Sequence, residues 1–133
     1  MSYKHFLKKI LYKVLDVQPF LYRPEIKIYD HRFEIHKTDV DVWPSYPHMH
    51  SIEDNLVLDI YSGKVYRKIT REHIGYAMEK DMKVLWNDKK FLDLVIEVRK
   101  NKPLNVCRLD EIPIKYLDEE KLKVVKENDA DFK

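Results

Sequence analysis

The stretch NLVLDIYSGKVYRKI, residues 55–69, is the strongest folding instruction in this chain. Leu56, Leu58 and Ile60 alternate with Val57, Asp59 and Tyr61, and alternation resumes after Ser62-Gly63 with Val65. Period-two alternation marks a half-buried strand, and a short Gly-containing break between two such runs marks a hairpin. With Ser62-Gly63 as a two-residue turn, Leu56, Leu58 and Ile60 share a face with Val65 and Ile69. Asp59, Tyr66 and Lys68 then share the other face.

Elements on either side follow from the same patterning. EIKIYDHRFEIH reads as a second hairpin with Asp30-His31 at its tip, Ile28 facing Phe33 and Ile26 facing Ile35. Lys27 would oppose Glu34, and Glu25 would oppose His36. Val40, Val42 and Trp43 resume on the opposite parity, which predicts a bulge over Lys37 to Asp39. Upstream, Tyr3, Phe6, Leu7, Ile10, Leu11, Val14 and Leu15 recur at helical spacing and end before Pro19. Downstream, Thr70 is an N-cap candidate for a helix whose stripe is Ile74, Ala77, Met78, Met82, Leu85 and Trp86, with His73 early on its surface. Asn87-Asp88 break and recap the chain, and Phe91, Leu94, Val95 and Val98 mark a further helix ending near Asn101, before Pro103. LNVCRL reads as a short strand, and Asp118 as the cap of a last polar helix in the acidic segment 118–133. The expectation is one α+β domain over residues 1–133: an antiparallel sheet of about four to five strands, an N-terminal helix and two helices after the sheet.

Composition narrows the function classes. A chain of 133 residues with 44% apolar and 36% charged residues suits a folded domain with a modest core. Two glycines argue against a glycine-rich phosphate loop, and a net charge of +2 does not by itself imply nucleic-acid binding. Lys4, Lys8, Lys9 and Lys13 make the first helix basic, which is either a solvated face or a docking surface for RNA or an acidic partner. One cysteine, Cys107, excludes an intrachain disulfide and a multi-cysteine zinc site; its alternating surroundings predict a small core residue. No apolar run approaches the ~20 residues of a membrane span, and the N-terminus lacks a signal core, so a cytoplasmic protein without membrane contact is expected.

The chemistry-bearing element is SYPHMHS, residues 45–51. In an extended segment His48 and His50 point to the same side. A tight turn at Glu53-Asp54 pairs His48 with Asp59 and His50 with Val57; a turn at Asp54-Asn55 pairs His50 with Asp59. Either puts both imidazoles on the Asp59 face, opposite Leu56, Leu58 and Ile60. The predicted site is therefore His48, His50, Asp59, Tyr66 and Lys68. Three uses stay open. A metal would take His48, His50 and Asp59, although catalytic zinc wants three protein ligands and an open position. Metal-independent RNA cleavage would use one imidazole as base and one as acid, with Lys68 or Arg67 offsetting phosphate charge. The third use is a polar sheet face with no chemistry, and no cofactor is required by any motif.

The order of these pieces resembles a family of small bacterial proteins known only as a domain of unknown function. That family carries a PPHFH-type element, a short strand of the a-x-I-D-I kind, a TGEV turn, a long helix ending near Trp, and an R-x-G-x-P-L stretch. The counterparts here are YPHMH, LVLDI, SGKV, VLW and VRKNKPLNV, spanning Tyr46 to Leu109. Tyr46 stands in place of the family's first proline and Asn101 in place of a glycine. The resemblance implies a toxin–antitoxin-like two-gene cassette on a mobile element, with a protein partner from the adjacent gene and His48 and His50 as functional positions. A toxin-like ribonuclease is one expectation; a non-enzymatic antitoxin, immunity protein or phage-encoded regulator is the other. A fainter echo of the ubiquitin-conjugating fold places Val57 where that fold carries its cysteine, which excludes thioester chemistry.

Overall fold

The computed structural model describes residues 21–37 and 41–129. The helix expected over Tyr3–Leu15 and the bulge at Lys37–Asp39 lie wholly or mainly outside the described residues. The described part is α+β: a six-stranded antiparallel sheet in the order β1-β2-β3-β4-β5-β6, so each strand pairs with its neighbours in the chain. The strands are β1 (Leu21–Tyr22), β2 (Phe33–His36), β3 (Met49–Ser51), β4 (Leu56–Leu58), β5 (Lys64–Arg67) and β6 (His73–Tyr76). Three α-helices follow, α1 (Glu79–Trp86), α2 (Lys89–Lys100) and α3 (Glu119–Asn128), with a 3-10 turn at Ile114–Tyr116. None of the described helices is long and apolar enough to cross a membrane.

The β4–β5 hairpin forms with a longer loop than expected. Leu58 pairs with Val65, Val57 with Tyr66 and Leu56 with Arg67. Asp59 N–H donates to the Lys64 carbonyl (2.9 Å) and Gly63 N–H to the Asp59 carbonyl (2.8 Å), so Ile60 to Gly63 form a four-residue loop. Gly63 adopts φ +80°, a conformation a Cβ disfavours. Because the register moves by two, the parity of each residue is preserved, and Leu56, Leu58 and Val65 are buried together. Ile69 is the exception. β5 ends at Arg67, and Ile69 is 83% exposed in the turn beyond it.

The β1–β2 connection behaves in the same way. Tyr29 and Asp30 both have positive φ, at 53° and 57°, and Ile28 bridges His31, so the tip is Tyr29-Asp30 rather than Asp30-His31. Two central residues at positive φ match the twist of a tight hairpin. Further along, Tyr22 pairs with Ile35 and Leu21 with His36, which replaces the expected Glu25–His36 and Lys27–Glu34 pairs. Ile28, Phe33 and Ile35 nonetheless stay in the core.

The largest correction concerns residues 70–78. Thr70 does not cap a helix; its hydroxyl accepts from the Glu72 N–H (3.3 Å) inside a turn, and His73–Tyr76 form β6. Helix α1 begins only at Glu79. A Cβ at Gly75 would lie 2.7 Å from the Tyr29 ring, and the Tyr29 hydroxyl donates to the Ile74 carbonyl (3.3 Å). That close approach favours an extended glycine at this point, and a local helix pattern cannot foresee it.

The expected stripes downstream are buried in part: Met82, Leu85 and Trp86 on α1 and Phe91, Leu94, Val95 and Val98 on α2 are interior, whereas Met78, just before α1, is 58% exposed. Asp88 caps α2 by accepting from Lys90 N–H (2.9 Å), and its other oxygen accepts from the Tyr22 hydroxyl. Asp118 caps α3 by accepting from Lys121 N–H (2.8 Å). LNVCRL is not a strand, and Cys107 is exposed; only Val106 of that run is buried. Core residues of the sheet and the helices belong to one apolar cluster, with Trp86 Nε1 donating to the Ile60 carbonyl (2.9 Å) at its centre.

Candidate functional site

β3 lies between β2 and β4, and the register aligns one side chain from each of five strands. Glu34 pairs with His50, His50 with Val57, Val57 with Tyr66, and Tyr66 with His73. This row runs along the outer face, opposite Met49, Leu56 and Leu58. The pairing of His50 with Val57 corresponds to the turn at Glu53-Asp54.

The chain reaches β3 through two cis peptide bonds, Trp43-Pro44 and Tyr46-Pro47. Ser45 Oγ donates to the Pro47 carbonyl (3.1 Å), and the Tyr61 hydroxyl donates to the Tyr46 carbonyl (2.9 Å). These contacts hold the Ser45 carbonyl under His48, whose Nδ1 lies 2.8 Å from it. A carbonyl only accepts, so Nδ1 carries the proton and Nε2 is left as an acceptor. His50 Nε2 lies 3.1 Å from that atom, with the two rings edge to face at 4.7 Å. In the neutral pair His50 therefore donates to His48. The contact can hold one proton between two imidazoles, or both nitrogens can turn to one cation.

The predicted site assembles in part. His48 is buried at 2% exposure and His50 is half-buried beside it. Tyr66 lies in the same cross-strand row, packed against Trp43 at 5.1 Å. Asp59 is directed elsewhere: its Oδ1 accepts from Tyr61 N–H (3.0 Å) and Ser62 N–H (3.4 Å), which closes the hairpin loop. Lys68 lies past the end of β5 and is exposed. The metal set His48, His50 and Asp59 is accordingly not assembled, and among the described residues no group of three His, Cys, Asp or Glu side chains is placed to hold an ion.

Glu34 closes one end of the row. It accepts from Arg23 Nε (2.7 Å) and from His36 Nε2 (3.0 Å). Burial pushes its pKa up, but the hydrogen bonds and charges of Arg23 and His36 outweigh burial and hold it below the usual glutamate value. A depressed folded-state pKa stabilises the fold above the unfolded carboxylate pKa, and that contribution is lost as pH falls through the folded one. Glu34→Gln should therefore flatten the loss of stability on the acid side. Urea midpoints between pH 5 and pH 3 check this; equal slopes in variant and wild type would refute it.

At the other end, His73 and Tyr76 extend the ring contacts. Tyr66 and His73 lie 5.4 Å apart, and His73 and Tyr76 4.8 Å. His73 was expected on a helix surface; its position on β6 is what joins it to this row.

A second polar cluster escaped the sequence reading altogether. Arg99, 3% exposed, holds Asp129 through two contacts of 3.1 Å, the Tyr61 hydroxyl at 3.1 Å and the Asp110 carbonyl at 2.6 Å. Burial alone would lower the Arg99 pKa, but Asp129 and Tyr61 hold it above the usual arginine value. Burial raises the Tyr61 phenol despite the opposing Arg99 charge. The available signal was helical spacing, since Arg99 follows Leu92 and Val95 on their buried stripe.

No family model matches this chain, and neither a curated protein nor a solved structure matches it.

Proposed function

We propose that this chain is a non-enzymatic binding protein that holds its partner on the outer face of the sheet. Within the two-gene setting implied by the resemblance, that is the antitoxin, immunity or phage-encoded regulator role. The observation that carries this reading is the 3.1 Å contact between His48 and His50. Metal-independent RNA cleavage needs a base at the 2′-hydroxyl and an acid at the leaving oxygen, on opposite sides of one phosphate. Each needs a hydrogen bond of about 2.6–3.2 Å to its own oxygen. Two nitrogens bonded to each other, one on a buried ring tied to the Ser45 carbonyl, do not leave room for a phosphate between them. With Asp59 engaged in its loop and Lys68 outside the row, the partners for such chemistry are dispersed. The histidines instead tie SYPHMHS together, through the Ser45 carbonyl and through each other.

The test is expression without neighbouring genes, wild type against His48→Ala/His50→Ala. Growth without arrest in both strains is the expected result. Arrest by the wild type that disappears in the double variant would overturn this reading in favour of a toxin-like enzyme.

A further inference from the structure

We propose that the outer face of β5 and β6 binds single-stranded RNA. This rests on the binding-protein reading above and names its partner class. Four aromatic rings form one chain of contacts there: Trp43 with Tyr66 at 5.1 Å, Tyr66 with His73 at 5.4 Å, and His73 with Tyr76 at 4.8 Å. His73 is exposed and Tyr76 is 59% exposed, so the β6 end of the chain presents ring surface to solvent. Rings of this kind, held on a sheet, are the surface on which unpaired bases stack.

Charge selects the occupant. Lys64 pairs directly with Tyr76 across the strands, and the exposed Lys68 lies two residues past Tyr66, in the turn just beyond the end of β5. The Arg71 guanidinium sits 4.6 Å from the centre of the Trp43 ring. Between Lys64 and His73 there are four cations and one carboxylate, Glu72, which already faces Arg67 at 3.6 Å. Glu34, at the far end of the row, is paired with Arg23 and His36. Planar rings flanked by cations fit a stacked, anionic chain. A paired duplex hides the base faces that these rings would contact. The exposed Tyr76 ring ends in a hydroxyl, which suits the donor and acceptor character of a ribose 2′-hydroxyl.

The experiment is fluorescence anisotropy of the full chain with a labelled ten-nucleotide RNA, the same sequence as DNA, and the RNA as a duplex, over a range of salt. Single-stranded RNA should bind most tightly. With Lys64, Lys68 and Arg71 each neutralising one phosphate, log K should fall against log salt with a slope of about −2. Lys68→Gln should reduce that slope by about 0.7. Tyr76→Ala, at an exposed position, should weaken binding about 5-fold to 150-fold while unfolding at the same urea midpoint. Absence of single-strand binding, equal binding of the DNA, or indifference to Tyr76→Ala would each overturn the proposal. So would a dimer in sedimentation that Tyr76→Ala dissolves, because the face would then belong to a second copy. Failure here combined with unarrested growth removes only RNA as the partner; arrest that depends on the histidine pair removes the binding reading itself.

Discussion

Asp129→Ala is expected to lower stability in urea titrations by about 3–5 kcal/mol, the cost of leaving a buried charge without its partner. The side chains of Arg99 and Asp129 are 2% and 4% exposed, so water cannot replace the lost carboxylate. The remaining contacts of Arg99, the Tyr61 hydroxyl and the Asp110 carbonyl, carry no full negative charge. A domain of this size is stable by roughly 5–15 kcal/mol, so the variant should approach the edge of folding. The informative comparison is Arg99→Met/Asp129→Leu. Removing both charges together should recover most of the loss, because the desolvation penalty leaves with the attraction. A single variant costing under about 1 kcal/mol, or a double variant no better than the single, would rule out a buried-charge origin.

Trp86 carries the second large effect. It is fully buried, contacts Phe91 edge to face at 5.0 Å and Tyr61 at 5.9 Å, and donates to the Ile60 carbonyl. Trp86→Ala should cost about 3–5 kcal/mol through lost burial and the cavity left behind. Trp86→Phe separates the components. It keeps an aromatic ring but leaves the Ile60 carbonyl without its donor, a loss of about 1–3 kcal/mol for a buried acceptor. Urea denaturation of both variants checks the ordering. A Phe variant as stable as the wild type would show that the indole hydrogen bond contributes nothing to the hold on the Ile60–Gly63 loop.

These expectations rest on features of differing visibility in the sequence. Face assignment was legible because strand parity survives an even shift of register. Leu56, Leu58, Val65, Phe33 and Ile35 are inside although two turns differ from those expected. His48 and His50 face away from that core for the same reason. Strand β6 was hidden because Ile74, Ala77, Met78 and Met82 also fit helical spacing. The deciding contact, Tyr29 against Gly75, joins residues 46 positions apart. The Asp59 carboxylate is taken up by its own loop, where it accepts from Tyr61 N–H and Ser62 N–H, a local competition that strand alternation does not register. Arg99 falls on the buried Leu92/Val95 stripe of its helix, but its partners Asp129 and Tyr61 lie 30 and 38 residues away in the chain and are joined to it only by the fold.

A sheet whose strands follow chain order ends, among the described residues, in two open rims, and open rims invite further strands. β1 is two residues long, too short a template for another chain. β6 is irregular: its register with β5 shifts between Val65 and Tyr66, and the His73 imidazole donates back to the Gly75 carbonyl (2.9 Å), removing an acceptor from the rim. Among the described residues both rims are thereby poor templates for a further strand, while the β5–β6 face presents the exposed His73 and Tyr76. The kink that interrupts the pairing between β5 and β6 is also what sets His73 opposite Tyr66, so protection from aggregation and construction of the ring surface come from a single bulge.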